Sequence, residues 1–225
     1  MSVEQRAVEQ NGVEQKVRSH FHADARRFDA IYEDEKNPLT RFVDNVWRGV
    51  VRRRFVLTLD KLEPLAGKSV LDVGCGSGRY CIAYAERGAR RVVGVDFAAG
   101  MIELACQHAR RAGVNDRCEF RAGKFPEAVQ GETFDACTAM GFFDYIAEPA
   151  PIVSRMRELT RSTMIMSFPK SREWRAPVRR VRFWAKGCPL YLYSEPQVKT
   201  ILARAGVTLY DWIALDRDYI VIAHL

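Results

Sequence analysis

Apolar residues recur along this chain with two different periods, and the change between them divides it. Residues 1–15 are polar, rich in Gln and Glu and aperiodic, which is the pattern of a terminus that buries too little apolar surface to order itself. From Lys16 a helical period places Phe21, Phe28, Ile31 and Tyr32 on one face. After the Asn37-Pro38 break a second helix carries Val43, Val46, Trp47, Val50 and Leu57, and Pro64 and Gly67 close this helical preface. Beyond it, short apolar runs alternate with helical patterns. Strands are predicted at Ser69 to Val73, Arg91 to Asp96, Arg117 to Arg121, Phe134 to Met140, Thr163 to Phe168, Val207 to Ala214 and Tyr219 to Leu225. The intervening helices start at Arg79, span Gly100 to Arg111, Ala150 to Leu159 and Glu195 to Ala205, and the last is closed by Gly206.

Alternation of strand and helix implies a mostly parallel sheet with helices on both faces, because right-handed crossovers must cover it on either side. The final two strands are joined through only Leu215 to Asp218, too few residues for a parallel crossover, so this pair is expected to be antiparallel. The division that follows is a tail and helical lid at 1–65 and one α/β domain at 66–225.

Composition narrows the class. With 48% apolar and 11% aromatic residues in 225, the chain is globular rather than disordered, and no apolar run approaches the roughly 20 residues of a membrane-spanning helix. The first thirty residues carry charges where a signal peptide would be apolar, so a cytoplasmic protein is expected. The cysteines (Cys75, Cys81, Cys106, Cys118, Cys137, Cys188) lack C-x-x-C spacing and the four histidines lack the close intervals of a zinc site, so no metal is expected.

Chemistry concentrates in Val70-Leu71-Asp72-Val73-Gly74-Cys75-Gly76-Ser77-Gly78, a buried strand running into a glycine turn that opens a helix. Such a turn lets a ligand approach the backbone, and the helix start offers free N–H groups. Val92-Val93-Gly94-Val95-Asp96 is a second strand ending in an acid about 20 residues later, the position from which a carboxylate grips ribose hydroxyls. The glycines fall at alternate positions and position 79 is Arg79, which disfavours the G-x-G-x-x-G spacing of a nicotinamide dinucleotide enzyme.

As a set, these motifs resemble the class I S-adenosylmethionine-dependent methyltransferases over Ala66 to Leu225. The resemblance implies a Rossmann-like, doubly wound seven-stranded sheet with its last strand antiparallel, and S-adenosylmethionine as cofactor. By the same resemblance Asp72 and the Gly74 to Gly78 loop, with Cys75 and Gly76, embrace the methionine portion, Asp96 binds both ribose hydroxyls, and Phe97 and Met101 lie against the adenine. Gly123-Lys124-Phe125-Pro126 stands where the family often has an acid followed by an apolar residue. An ammonium only donates, so the adenine-edge role passes from Lys124 to the Phe125 backbone. Met140 and Gly141 are expected beside the transferable methyl group.

Methyl transfer from a sulfonium is an in-line displacement that needs chiefly proximity and orientation, with a general base where the acceptor arrives protonated. Asp144 and His20 are the foremost base candidates, with Tyr145 and His22 behind them. Tyr32, Tyr145 and Arg179 are candidate substrate contacts, and Tyr32 and Trp47 could close the lid. The segment after the fourth strand, Ala139-Met140-Gly141-Phe142-Phe143-Asp144-Tyr145, lacks the Asn/Asp-Pro-Pro-aromatic motif of DNA amino-methyltransferases. The chain also lacks the Pro-Cys of cytosine C5 enzymes and the paired glutamates of protein arginine methyltransferases, and no Asp-Asn pair follows the fourth strand as a metal-binding pair of the kind catechol enzymes use. A small-molecule acceptor remains, and nucleic acid is not the expected partner.

An insertion at 170–193 holds seven basic residues (Lys170, Arg172, Arg175, Arg179, Arg180, Arg182, Lys186) against Glu173, nearly all of the formal +7, interleaved with Trp174, Phe183, Trp184, Tyr191 and Tyr193. It reads as a solvated basic face, as a wall for an anionic or amphiphilic substrate with peripheral contact to anionic lipid, or as an RNA-binding surface. The alternatives to a small-molecule methyltransferase are a catalytically silent protein that binds S-adenosylmethionine or an adenine nucleotide as sensor or assembly partner, and an RNA methyltransferase.

Overall fold

The computed structural model describes residues 38–172 and 190–225, with backbone only for 38–48 and 50. In chain order the elements are α1 (Pro38–Leu62), β1 (Ser69–Val73), α2 (Arg79–Glu86), β2 (Arg91–Asp96), α3 (Ala99–Arg111), β3 (Cys118–Ala122), β4 (Phe134–Ala139), α4 (Pro149–Leu159), β5 (Thr160–Pro169), α5 (Glu195–Arg204), β6 (Tyr210–Leu215) and β7 (Asp218–His224). They form one seven-stranded sheet in the order β3-β2-β1-β4-β5-β7-β6. β1 to β5 run parallel, and β7 is antiparallel to both β5 and β6.

Two-residue alternation distributes the buried side chains to the two faces. Leu71, Val93, Cys137, Met164, Met166, Val221 and Ala223 pack into one core with Val153 and Met156 of α4 and Val198 and Leu202 of α5. Val70, Val92, Ala136, Ile165, Ile220 and Ile222 pack into the other with Leu59 and Leu62 of α1, Tyr84 of α2 and Ile102 of α3. The β3 edge is covered by charge: Arg91 bridges Glu119 at 2.9 Å and Glu132 at 2.7 Å, and Arg121 pairs with the same two acids.

Several strand and helix ends shift by one residue from the sequence expectation, and three differences have a structural reason. β5 begins at Thr160 rather than Thr163 because α4 hands over to it without a loop. β6 begins at Tyr210 rather than Val207, since the Val207 N–H donates to the Leu202 carbonyl (2.9 Å) and completes the end of α5. β6 and β7 are joined by Asp216 and Arg217 alone, because Asp216 adopts a left-handed conformation (φ 45°) that turns the chain in two residues. The predicted helix from Lys16, with His20, His22 and Tyr32, lies outside the described residues, as do Cys188, Arg179 and all of the insertion between 173 and 189; the Trp47 side chain is likewise not described.

Candidate functional site

All parallel strands end on one edge of the sheet, and the site assembles there. β1 leads into the glycine turn, which is pinned to β2 by Gly74 N–H and Cys75 N–H, both donating to the Val95 carbonyl (2.8 and 3.1 Å). Asp96, at the tip of β2, accepts the Gly76 N–H on one carboxylate oxygen (3.0 Å) and the Ala98 N–H on the other (2.9 Å). Burial pushes the Asp96 carboxyl above its ordinary value, and these two N–H groups pull it back part of the way.

The glycines have distinct jobs. A Cβ at Gly78 would stand 2.9 Å from the Ala105 Cβ and from the Phe120 ring, so that glycine permits α2 and α3 to close on β3. At Gly74 a Cβ would meet the Phe142 ring at 2.6 Å, which places Phe142 over the first turn residue. Gly76, at φ +52°, would direct a Cβ into open space with no heavy atom within 4 Å. Backbone that bends into the left-handed region around a vacant volume, beside a carboxylate, is suited to a polar ligand lying on it.

The flanking residues surround this point. Met101 is buried with Ala98 and packs with Leu104, and Phe97 is half-buried next to Asp96. Gly123 N–H donates to the Asp96 carbonyl (3.0 Å), bringing 123–126 alongside the tip of β2. There Phe125 packs against the core and Lys124 is exposed, its carbonyl accepting the Ala128 N–H. Met140 is buried in the cluster that contains Cys75, and Gly141 N–H donates to Ser167 Oγ (2.7 Å), fixing the end of β4 to β5.

Beyond β4 a single 3-10 turn, Phe143–Tyr145, is held by aromatic packing: Phe143 stacks on Phe168 (4.5 Å, 11°), which meets Tyr193 edge-on (5.7 Å). Tyr193 Oη donates to the Ile146 carbonyl (2.6 Å) and Tyr191 N–H to the Asp144 carbonyl (2.8 Å). Asp144 is thereby buried at the carboxyl edge, with Tyr145 half-buried beside it.

Asp72 sits lower, in β1 itself, 2% exposed. It is the cross-strand partner of Thr138, whose Oγ1 donates to one carboxylate oxygen (2.8 Å), while the Cys81 thiol faces the other (3.5 Å). Both of its oxygens are therefore engaged within the protein.

The sequence reading missed Arg54. It lies on α1 in the stripe Arg54, Thr58, Leu62, which is buried at each position, and its guanidinium reaches the carboxyl edge of the sheet. Arg54 Nη1 donates to Asp218 at 3.1 Å, both side chains nearly enclosed, and a Cβ added at Gly141 would stand 3.3 Å from Nη2 and 3.5 Å from Nη1. Burial by itself would lower the Arg54 pKa, but Tyr80, Asp218 and Asp144 around it raise it on balance, so it is a permanent cation. Among the described residues its Nε–H has no hydrogen-bond partner. Next to it Arg53 forks onto the Asp216 carboxylate (3.0 and 2.8 Å), so successive arginines fasten α1 to the β6–β7 turn.

A parallel sheet of this strand order, with its seventh strand reversed, and a glycine turn and ribose-type acid at the carboxyl edge, defines the class I fold of S-adenosylmethionine-dependent methyltransferases. The chain belongs to the methyltransferase-domain family, whose model matches residues 65–206. It is 38% identical over 120 residues to a ubiquinone biosynthesis O-methyltransferase of Azorhizobium caulinodans, covering 53% of this chain and 46% of that protein. It is 34% identical over 112 residues to the protein of the same name in Neisseria meningitidis, covering 49% and 47%. The chain thus spans about half the length of the curated relatives it matches. Its fold is similar to that of the magnesium protoporphyrin IX methyltransferase from Synechocystis PCC 6803, crystallised with bound SAH, with a TM-score of 0.76 at 22% identity over 94% of this chain and 99% of that one. No described helix is long and apolar enough to cross a membrane.

Proposed function

We propose that the protein transfers the methyl group of S-adenosylmethionine to a hydroxyl oxygen of a small molecule. The observation that carries this reading is the open volume over Gly76, bordered by the Asp96 carboxylate at the carboxyl edge. O-Methyl transfer is favoured by the names of the sequence relatives, and a small acceptor by the missing motifs of the DNA and protein enzymes.

The residues present fit the cofactor. Asp96 would take the ribose hydroxyls, exchanging the Gly76 N–H for them. Phe97 and Met101 would lie against the adenine, with the Phe125 backbone at its edge, and the turn from Gly74 to Gly76 would carry the methionine portion. Arg54, a buried cation with an unspent N–H, would oppose the methionine carboxylate. When bound, the group supplies an electrophilic methyl on a sulfonium.

The protein's own part is to align the acceptor and take up its proton. Asp144, enclosed just past β4 and within the field of Arg54, is the carboxylate placed to accept a hydroxyl proton. Met140, Gly141 and Phe142 fix the floor on which the acceptor rests, and Tyr145 borders it. Water exclusion falls to Phe142 over Gly74 and to α1, latched by Arg53 and Arg54.

Isothermal titration with S-adenosylmethionine and S-adenosylhomocysteine, with NAD as control, tests the cofactor site. Incubation with phenolic probes such as 3,4-dihydroxybenzoate, read by mass spectrometry for an added methyl group, tests the acceptor class. Binding of both sulfur ligands but not NAD, and methylation of the phenol but not of RNA or peptide, is the expected result. Absence of binding refutes the reading.

A further inference from the structure

The glycine turn is gripped from α3 as well as from β2. Met101, Ala105 and His108 fall four and then three residues apart on that helix and so share one face of it. Met101 is buried beside Ala98, just past Asp96, and Ala105 stands where Gly78 has no side chain, since a Cβ there would come within 2.9 Å of the Ala105 Cβ. His108, half-buried, completes the line: its Nδ1 lies 3.1 Å from the Ser77 carbonyl oxygen. A carbonyl oxygen accepts and never donates, so Nδ1 carries the hydrogen. The peptide between Ser77 and Gly78 is thereby held on both sides, its C=O by His108 and its N–H by the Cys75 carbonyl (3.0 Å).

This grip differs in kind from those on the rest of the turn. The first half is fastened to the Val95 carbonyl by the Gly74 and Cys75 N–H groups, deep in the sheet. Gly76 N–H is fastened to the Asp96 carboxylate, which would exchange it for the ribose hydroxyls, so that tether is surrendered when the cofactor arrives. His108 holds its carbonyl from α3, through a bond that no part of the ligand is required to replace. We propose that His108 is a positioning residue for the cofactor: it keeps the Ser77 and Gly78 peptide in place after Asp96 has released Gly76, and so fixes the backbone on which the ligand lies. The inference rests on the cofactor reading above and deepens it. The empty turn keeps its tether to Asp96, so loss of the His108 donor weakens the liganded state more than the free one, and it weakens substrate and product alike because both lie on the same backbone.

The test compares two substitutions in the full chain. His108→Leu puts a methyl group where Nδ1 stood, and His108→Asn puts an amide N–H donor at the same distance from Cβ. Each variant is titrated calorimetrically with S-adenosylmethionine and separately with S-adenosylhomocysteine, and each is unfolded in urea without ligand. His108→Leu should bind both ligands about three- to tenfold more weakly than the parent chain, by the same factor for each, with its unfolding midpoint unchanged, whereas His108→Asn should bind both within about twofold of the parent. Rescue by asparagine is the readout that a packing role for the ring would not give. Unchanged affinity in His108→Leu, equal loss in the two variants, or a loss of affinity matched by a fall in the ligand-free unfolding midpoint overturns the inference while leaving the cofactor site intact. Failure of both ligands to bind the unaltered chain overturns the cofactor reading, and the inference falls with it.

Discussion

Two glycines two residues apart separate the demands of the fold from those of the ligand. Gly76 and Gly78 both occupy the left-handed region (φ +52° and +80°), so an alanine at either incurs the same backbone cost, about 1–2 kcal/mol. They differ in what the new methyl meets. At Gly78 it lands 2.9 Å from the Ala105 Cβ and 2.9 Å from two atoms of the Phe120 ring, a collision between packed elements that adds roughly 1–3 kcal/mol. At Gly76 it meets nothing. Gly76→Ala is therefore expected to unfold about 1–2 kcal/mol more easily than the parent chain and Gly78→Ala about 2–5 kcal/mol more easily, measured by urea denaturation with unchanged slope. Binding should run the other way, because the proposed site sets the ligand against the backbone at Gly76. S-Adenosylmethionine affinity, by titration calorimetry, should fall at least tenfold in Gly76→Ala, about 1.4 kcal/mol. A Gly76→Ala protein that keeps its affinity within twofold would refute the site, and equal stability of the two variants would refute the packing account.

Three further outcomes follow from the same geometry. Arg54→Met removes the nearer of the two cations on the enclosed Asp218, leaving only Arg217 Nε at 3.8 Å, and should destabilise the fold by up to about 3–5 kcal/mol, whereas adding Asp218→Asn should restore a large part of it; additive losses in the denaturation cycle would show that the pair does not interact. Asp96→Asn keeps the shape but loses the carboxylate proposed to take the ribose, so cofactor affinity should drop by about 1.5–3 kcal/mol, with NAD still excluded; unchanged calorimetry would place the ribose elsewhere. The Asp72 carboxyl, raised to about 7 in the fold, favours folding fully only below its unfolded value near 4 and loses that advantage as pH rises through 7. Asp72→Asn should accordingly raise the melting temperature at pH 8 by more than at pH 5, and the reverse order would contradict the burial assigned to the acid.

The chain discloses local chemistry more readily than distant pairing, and the particular residues show why. The β1 turn, the Asp96 tip and the alternation of seven strands could be read directly because each is encoded within a few consecutive residues: glycine where the backbone turns left, an acid at a strand end, apolar residues at period two. The antiparallel pairing of β6 with β7 was legible too, since the four residues read as their link, Leu215 to Asp218, cannot make a crossover. The environment of Asp72 was half legible. Val70-x-Asp72 and Ala136-x-Thr138 each put a polar residue in step with an apolar one, but that the two face each other follows only from β1 lying beside β4 in this strand order.

Arg54 lies at the far limit of that logic. It is the third of three consecutive arginines, Arg52, Arg53 and Arg54, and a basic run on a helix ordinarily marks a solvated face. The signal that distinguishes it is spacing: Arg54, Thr58 and Leu62 recur every four residues, and that line is buried while Arg52 and Arg53 are exposed. A charged residue on a buried line demands an opposite charge, and the one that answers stands 164 residues later, at the start of a strand that reaches the site only because it runs backwards. The reversal of β7 thus does more than close the sheet. It delivers Asp218 to the same edge as the ends of β1, β2 and β4, where a parallel seventh strand would have delivered its other end, His224. The strand order and the buried cation are consequently one feature, and a helix preceding the family domain becomes a wall of the site because a reversed strand following it supplies the anchor.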